Sequence, residues 1–235
     1  MEPRNQQTAA TGVKTYDAGL RAHMLRIYNR MTLGVLTTGL VAYAFAASGL
    51  VSVLYANPIL AIILAFSPLA VVWFGFRPDR MSSGKLQFSF FLISALYGLS
   101  FSSIFLVYAG TDIARAFFLA AASFAGLSLF GYTTKKNLDG MGSFLIMGMF
   151  GLIILSVVNM FMASTVMQNV VAGAGILIFS GLTAWETQKM KEMYNPAYDD
   201  ETASRVGWAS ALNLYISFIA LFQYILHFVG MARGE

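Results

Sequence analysis

The sequence predicts an all-α membrane protein, a bundle of seven transmembrane helices with its N-terminus in the cytoplasm. Three observations support this fold class: the composition, seven apolar stretches of spanning length, and the placement of the basic residues. Hydrophobic residues make up 57% of the chain and charged residues only 11%, whereas a soluble domain is usually about 45–50% apolar and about 25% charged. The composition therefore indicates a multi-pass membrane protein.

The chain before the first span is predicted to have two parts. Residues 1–18 are mostly small and polar, which predicts a mobile cytoplasmic tail. Residues 19–31 are predicted to form an amphipathic helix at the membrane interface. Its apolar face repeats at helical spacing and consists of Leu20, Met24, Ile27 and Met31. No apolar core suited to a signal peptide precedes these residues.

The transmembrane domain is predicted over 32–230, followed by a short outer tail at 231–235. A span needs about 20 apolar residues. Seven such stretches lie at 32–54, 58–76, 87–108, 113–132, 141–163, 168–188 and 207–230. Turn residues or charges separate them, as at Asn57-Pro58 and Asn195-Pro196. Pro68 lies within the second stretch and is predicted to kink that helix.

The basic residues predict the orientation. With the N-terminus in the cytoplasm, 13 of the 15 bases lie on the cytoplasmic side. They precede the first span or lie close to the cytoplasmic ends of later spans: Arg4, Lys14, Arg21, Arg26, Arg30, Arg77, Arg80, Lys85, Lys135, Lys136, Lys189, Lys191 and Arg205. Only Arg115 and Arg233 are left outside. Cytoplasmic loops carry an excess of Lys and Arg, so this orientation is favoured.

Several function classes are not supported by the residues present. There is no cysteine and there are two histidines, and no nucleotide-binding loop or metalloprotease motif occurs. We therefore expect neither an enzyme nor a bound cofactor. The net charge of +4 comes from bases at span ends, so a nucleic-acid partner is not expected either. The last span, 207–230, contains no lysine that could hold retinal.

Glu186 is the most informative residue of the sequence, because it lies near the cytoplasmic end of the sixth apolar stretch. A charged side chain at the centre of a membrane helix costs about 2.5–3.5 kcal/mol. Such a residue is kept where it is paired, hydrated or functional.

Simpler interpretations apply to the other polar residues near the span ends: Asp112 and Arg115 form a solvated outer pair, and His227 is an interfacial side chain. The acidic run 199–201 is interpreted as a solvated loop.

Four segments resemble the Bax inhibitor-1 family, in its bacterial YccA/YbhL-like branch. They are FSSIFLVY at 101–108, GYTTKKNL at 131–138, GLTAWETQK at 181–189 and LYISFIALF at 214–222. They occur in the family's order and near the matching span ends, and the resemblance covers the chain from about residue 20 onward. The chain is therefore expected in the inner membrane of a bacterium.

The resemblance implies a seven-helix bundle with the last helix near its centre. It also implies a pH-sensitive calcium leak that two acids control, one on the sixth helix and one on the seventh. The first acid matches Glu186, where the family usually has Asp, and the second matches Ser217. The family's usual two-acid site is thus reduced to one acid, which weakens any metal site at Glu186.

The residues around Glu186 leave several roles open. Helical spacing suggests that Thr183 on the same helix, and Ser217 and Asn213 on the last one, contribute oxygens to an ion or gating site with Glu186. Alternatively, Glu186 is part of a salt-bridge latch with Lys189, Arg77 or Arg80. The protein is then either a passive cation leak, with Ca²⁺ as the transported ion, or a non-transporting protein. In the second case its partner would be a membrane AAA protease or another membrane complex.

Overall fold

The computed structural model describes residues 4–231, with side chains described from Ala18 onward, and the regular secondary structure of this part of the chain is entirely helical. The described residues contain nine α-helices and one π-helical turn. In chain order they are α1 (Arg4–Ala47), α2 (Leu50–Tyr55), α3 (Pro58–Ala70), the π-helical turn Val71–Gly75, α4 (Ser83–Phe101), α5 (Ile104–Val107), α6 (Gly110–Thr133), α7 (Asp139–Met162), α8 (Thr165–Glu192) and α9 (Asp200–Met231).

Seven helical segments of this part of the chain are long and apolar enough to cross a membrane, which confirms the predicted fold class. They are Ala18–Ala47, Pro58–Gly75, Ser83–Val107, Gly110–Thr133, Asp139–Met162, Thr165–Glu192 and Asp200–Met231. The second combines α3 with the π-helical turn, and the third combines α4 with α5. The orientation inferred from the basic residues stays a prediction.

The first helix differs from the predicted division into tail, interfacial helix and span. α1 is continuous from Arg4 to Ala47, and its spanning part begins at Ala18 rather than at residue 32. Its predicted apolar face, which consists of Leu20, Met24, Ile27 and Met31, is buried in the core of the bundle. The mobility of residues 1–18 stays a prediction, and residues 232–235 of the predicted outer tail lie outside the described residues.

Pro68 is accommodated within α3. A proline has no N–H to offer the carbonyl four residues earlier, which here belongs to Leu64. The hydroxyls of Ser67 and of Ser100 on α4 donate to that carbonyl instead, at 2.8 and 2.9 Å. The helix continues to Ala70 and changes to π-helical geometry immediately afterwards, so the distortion follows the proline.

The last helix forms the centre of the bundle, as the resemblance implied. α1, α4, α6 and α8 all pack against α9, and half of its most apolar window is buried. The Tyr215 hydroxyl lies 2.7 Å from the Thr38 hydroxyl, which also lies 2.9 Å from the Ser94 carbonyl oxygen. This buried polar network joins α9 to α1 and α4.

The acidic run before and within the start of α9 has a structural role. Asp199 accepts a hydrogen bond from the Thr202 backbone N–H at 3.2 Å and so caps the helix. Hydrogen bonds from Thr202 hold the pKa of the Asp199 carboxyl below its usual value. Glu201 accepts hydrogen bonds from the backbone N–H and hydroxyl of Ser83, both at 2.6 Å. The two acids therefore stabilise the N-termini of α9 and α4.

Candidate functional site

The two positions matched to the family's acids lie together in the structure. Glu186 on α8 accepts a hydrogen bond from the Ser217 hydroxyl on α9, with 2.8 Å between the oxygens. Ser217 is 1% exposed and Glu186 is partly buried. The carboxylate thus lies at the interface of α8 with the central helix, inside two membrane-spanning segments.

Glu186 has few charged groups around it. Among the described residues, none of the ion pairs involves Glu186, and no group of three or more His, Cys, Asp or Glu is placed to hold a metal ion. A carboxylate has about four acceptor sites, and Ser217 occupies one. Such a group has capacity to bind a proton or, weakly, a hydrated cation.

Thr183 and Asn213 do not join this pair as the sequence suggested. The Thr183 hydroxyl is fully buried and donates to the Phe179 carbonyl at 2.7 Å, one turn back in its own helix. This bond is common for Thr in helices, where few other acceptors are available. Asn213 lies one turn from Ser217 on α9, but its side chain is exposed whereas Ser217 is buried.

None of the described ion pairs joins Glu186 to a base of the predicted salt-bridge latch. Lys189 pairs with Asp139 at 2.7 Å and with Glu192 at 2.9 Å. Lys189 lies where α8 faces the start of α7, whose first residue is Asp139. Arg80 pairs with the adjacent Asp79 at 3.1 Å, and Arg77 is exposed. None of these three bases therefore forms an ion pair with Glu186.

The segment 181–189 contacts three neighbouring helices, which explains its unusual composition. Trp185 donates its indole N–H to Asp139 of α7 at 3.2 Å. Gln188 accepts from the Leu138 N–H at 2.9 Å and donates to the Lys136 carbonyl at 2.8 Å. Glu186 faces α9, so one segment fixes α7, the loop before it and the candidate site.

The interface of α8 with α6 depends on a close approach of two backbones. A Cβ atom at Gly131 would meet the backbone of Ala184, so only glycine fits there. Beside this contact, the Thr187 hydroxyl lies 3.4 Å from the Ser128 hydroxyl. This interface holds α8 in place directly behind Glu186.

An aromatic contact that was not predicted from the sequence lies on the predicted outer side of the candidate pair. The ring of Tyr224 lies 6.0 Å from that of Phe179, between ring centroids, and covers Gly175, where a Cβ would collide with it. The spacing in the sequence could have indicated this contact. Phe179 lies seven residues from Glu186 on α8, and Tyr224 lies seven residues from Ser217 on α9, about two turns toward the predicted outside in each case.

A polar cavity of about 670 Å³ lies beyond this aromatic contact, at the predicted outer ends of α7, α8 and α9. Its polar lining residues are Tyr108, Ser156, Asn159, Gln168, Gln223, Tyr224 and His227. His227 lies 2.9 Å from the Asn169 side-chain oxygen and so contacts α8, and its position at the membrane interface stays a prediction. Asp112 is fully buried, which corrects its interpretation as a solvated residue.

Comparison with known proteins is consistent with this architecture. The family model described as "Inhibitor of apoptosis-promoting Bax1" matches residues 20–234. The inner membrane protein YbhL of Escherichia coli is 37% identical over 220 residues, which cover 92% of this chain and 94% of YbhL. An uncharacterized protein of Rickettsia prowazekii is 39% identical over 227 residues, or 96% of each chain.

The matched residues include all seven spans, with only the first two residues of the first span outside the match. The chain therefore belongs to the Bax inhibitor-1 family and is a multi-pass protein of the inner membrane.

Proposed function

We propose that the protein is a passive cation leak, without enzymatic activity, in which Glu186 is the ion site and Ca²⁺ is the transported ion. The supporting observation is the pair formed by Glu186 and Ser217 across two membrane-spanning helices. An ionisable residue inside a span is costly and marks an ion or proton path in many membrane proteins. One acid with a hydroxyl is a weak ligand set for calcium, so we expect a low-affinity leak.

The interface between α8 and α9 offers a route for the ion. It carries the Glu186–Ser217 pair on the predicted inner side and the polar cavity of about 670 Å³ on the predicted outer side. The contact between Phe179 and Tyr224 lies between them, about 10 Å from the Glu186–Ser217 pair at the helical rise per residue. This arrangement is a path with a polar site at each end and an aromatic constriction in the middle.

Glu186→Gln is expected to lower calcium flux on the order of tenfold, because it keeps the side-chain shape but removes the only charge of the pair. The measurement is calcium entry into liposomes that contain the purified protein and an internal calcium dye. The matched control is Glu192→Gln, since Glu192 lies on the same helix but is exposed and paired with Lys189. Equal flux in the unmodified protein and in Glu186→Gln would contradict the proposal.

A second candidate function is supported by the length of α1. The helix begins at Arg4, whereas its spanning part begins at Ala18. Residues 4–17 therefore extend the helix by about 21 Å on the predicted cytoplasmic side. Such an extension suits a protein that binds and restrains a membrane AAA protease or another membrane complex.

Deletion of residues 2–17 is expected to abolish co-purification with a tagged membrane AAA protease, while the bundle remains inserted. Glu186→Gln should leave co-purification unchanged, because it alters a site inside the bundle. The measurement is affinity capture from solubilised membranes, with the amount of inserted protein as the control. Capture that survives the deletion and is lost in Glu186→Gln would exclude this form of the second function.

A further inference from the structure

A long groove runs between α1 and α6 on the side of the bundle. Both helices pack against α9, and Phe218 of α9 lines the groove between them. The groove has a volume of about 660 Å³ and is lined mainly by apolar side chains, among them Met24, Phe117 and Phe124. Leu25 and Leu129 line it as well and are more than half exposed, so the groove opens sideways toward the bilayer.

The length of this groove matches one leaflet. Its lining on α1 extends from Arg21 to Val35, and its lining on α6 extends from Phe117 to Tyr132. At 1.5 Å per residue, each wall is about 21–22 Å long. Half of a bilayer, with its headgroup layer, is about 20–22 Å thick. Arg21 and Tyr132 lie near the predicted cytoplasmic ends of their spans, so the groove faces the inner leaflet.

The cytoplasmic end of the groove carries positive charge on both sides. Arg21 is exposed, and no ion pair involves it among the described residues. On the other side, the Lys191 ammonium lies 3.2 Å from the Tyr132 carbonyl oxygen and 5.4 Å from the centre of the Tyr132 ring. Basic residues at the cytoplasmic surface attract anionic lipid headgroups, and Tyr rings favour the same depth.

We propose that this groove binds one anionic phospholipid of the inner leaflet. The phosphate lies between Arg21 and Lys191, and an acyl chain lies along Phe124 and Phe218. The site is separate from Glu186 and does not depend on the transport proposal. Basic residues at one end of the groove favour an anionic headgroup, and an apolar wall as long as one leaflet favours an acyl chain.

The charge is tested with the full-length protein in vesicles of phosphatidylethanolamine and phosphatidylglycerol, followed by mild extraction and native mass spectrometry. Arg21→Gln is expected to lower the fraction of protein that retains phosphatidylglycerol about fivefold, the effect of one basic residue near an anionic surface. Arg26→Gln is the matched control, because Arg26 is exposed on the same helix but does not line the groove. It should leave retention unchanged, and an equal loss in both variants would overturn the proposal.

The apolar wall is tested separately by filling the groove. Ala125→Trp adds a large side chain at an exposed position of the wall, whereas Ala122→Trp makes the same change at an exposed position of α6 outside the wall. Loss of phosphatidylglycerol from Ala125→Trp alone, at an unchanged unfolding temperature, is the expected result. Retention in Ala125→Trp, or no retained phosphatidylglycerol in the unmodified protein, would show that the groove is not a lipid site.

Discussion

Gly131→Ala is expected to destabilise the bundle by about 3 kcal/mol or more, the upper end of the cost of overpacking. The added methyl group would fall on the backbone of Ala184, and a backbone cannot rotate away as a side chain can. The only relief is to separate α6 from α8 along their interface. We expect a large drop in unfolding temperature, measured by intrinsic tryptophan fluorescence in detergent.

Gly126→Ala is the control for this prediction. It makes the same chemical change on the same helix, but a Cβ at Gly126 has no neighbouring atom within 4 Å. Alanine is the better helix former of the two, so no loss of stability is expected. Similar unfolding temperatures for the two variants would show that α6 and α8 are not held at the distance described.

Ser217→Asp is expected to restore a two-acid site and to raise apparent calcium affinity on the order of tenfold, since carboxylate number largely sets calcium affinity. The Ser217 hydroxyl already lies 2.8 Å from the Glu186 carboxylate, so both carboxylates would face the same space. Repulsion between two carboxylates so close together favours the binding of a proton by one of them. Acidification should therefore lower apparent calcium affinity with a clear midpoint in liposome flux assays.

Ser217→Asn separates the effect of charge from that of size. Asparagine has nearly the same shape as aspartate but no charge, and it should give neither the higher affinity nor the midpoint. The unmodified protein should show weak flux with little pH dependence. Strong acid-dependent flux in the unmodified protein would show that Ser217 is not the position that controls it.

The fold was predictable because the lipid solvent imposes it. An apolar stretch of spanning length must satisfy its own backbone hydrogen bonds, and a helix does so within the segment. The boundary of the first span was not predictable in the same way. The amphipathic pattern over 19–31 specifies a buried face but not whether lipid headgroups or other helices cover it, and here the core of the bundle covers it.

The candidate site was predictable only where the residues had no alternative partner. Glu186 and Ser217 lie together, and the resemblance had matched both to the family's acids. The environments of Thr183, Asn213 and Lys189 depend on competing partners: a carbonyl in the same helix, an exposed helix face and Asp139. Helical spacing along one chain does not reveal these partners, because they arise from packing between helices.

The central position of α9 has a consequence for biosynthesis. α9 is the last of the seven spans to leave the ribosome, yet α1, α4, α6 and α8 all pack against it. Insertion and association of helices are separate stages in a membrane, so these four helices first enter the bilayer without their common neighbour. Completion of the bundle is therefore a late event, and a ribosome that stalls before residue 200 leaves an inserted chain that lacks its central helix.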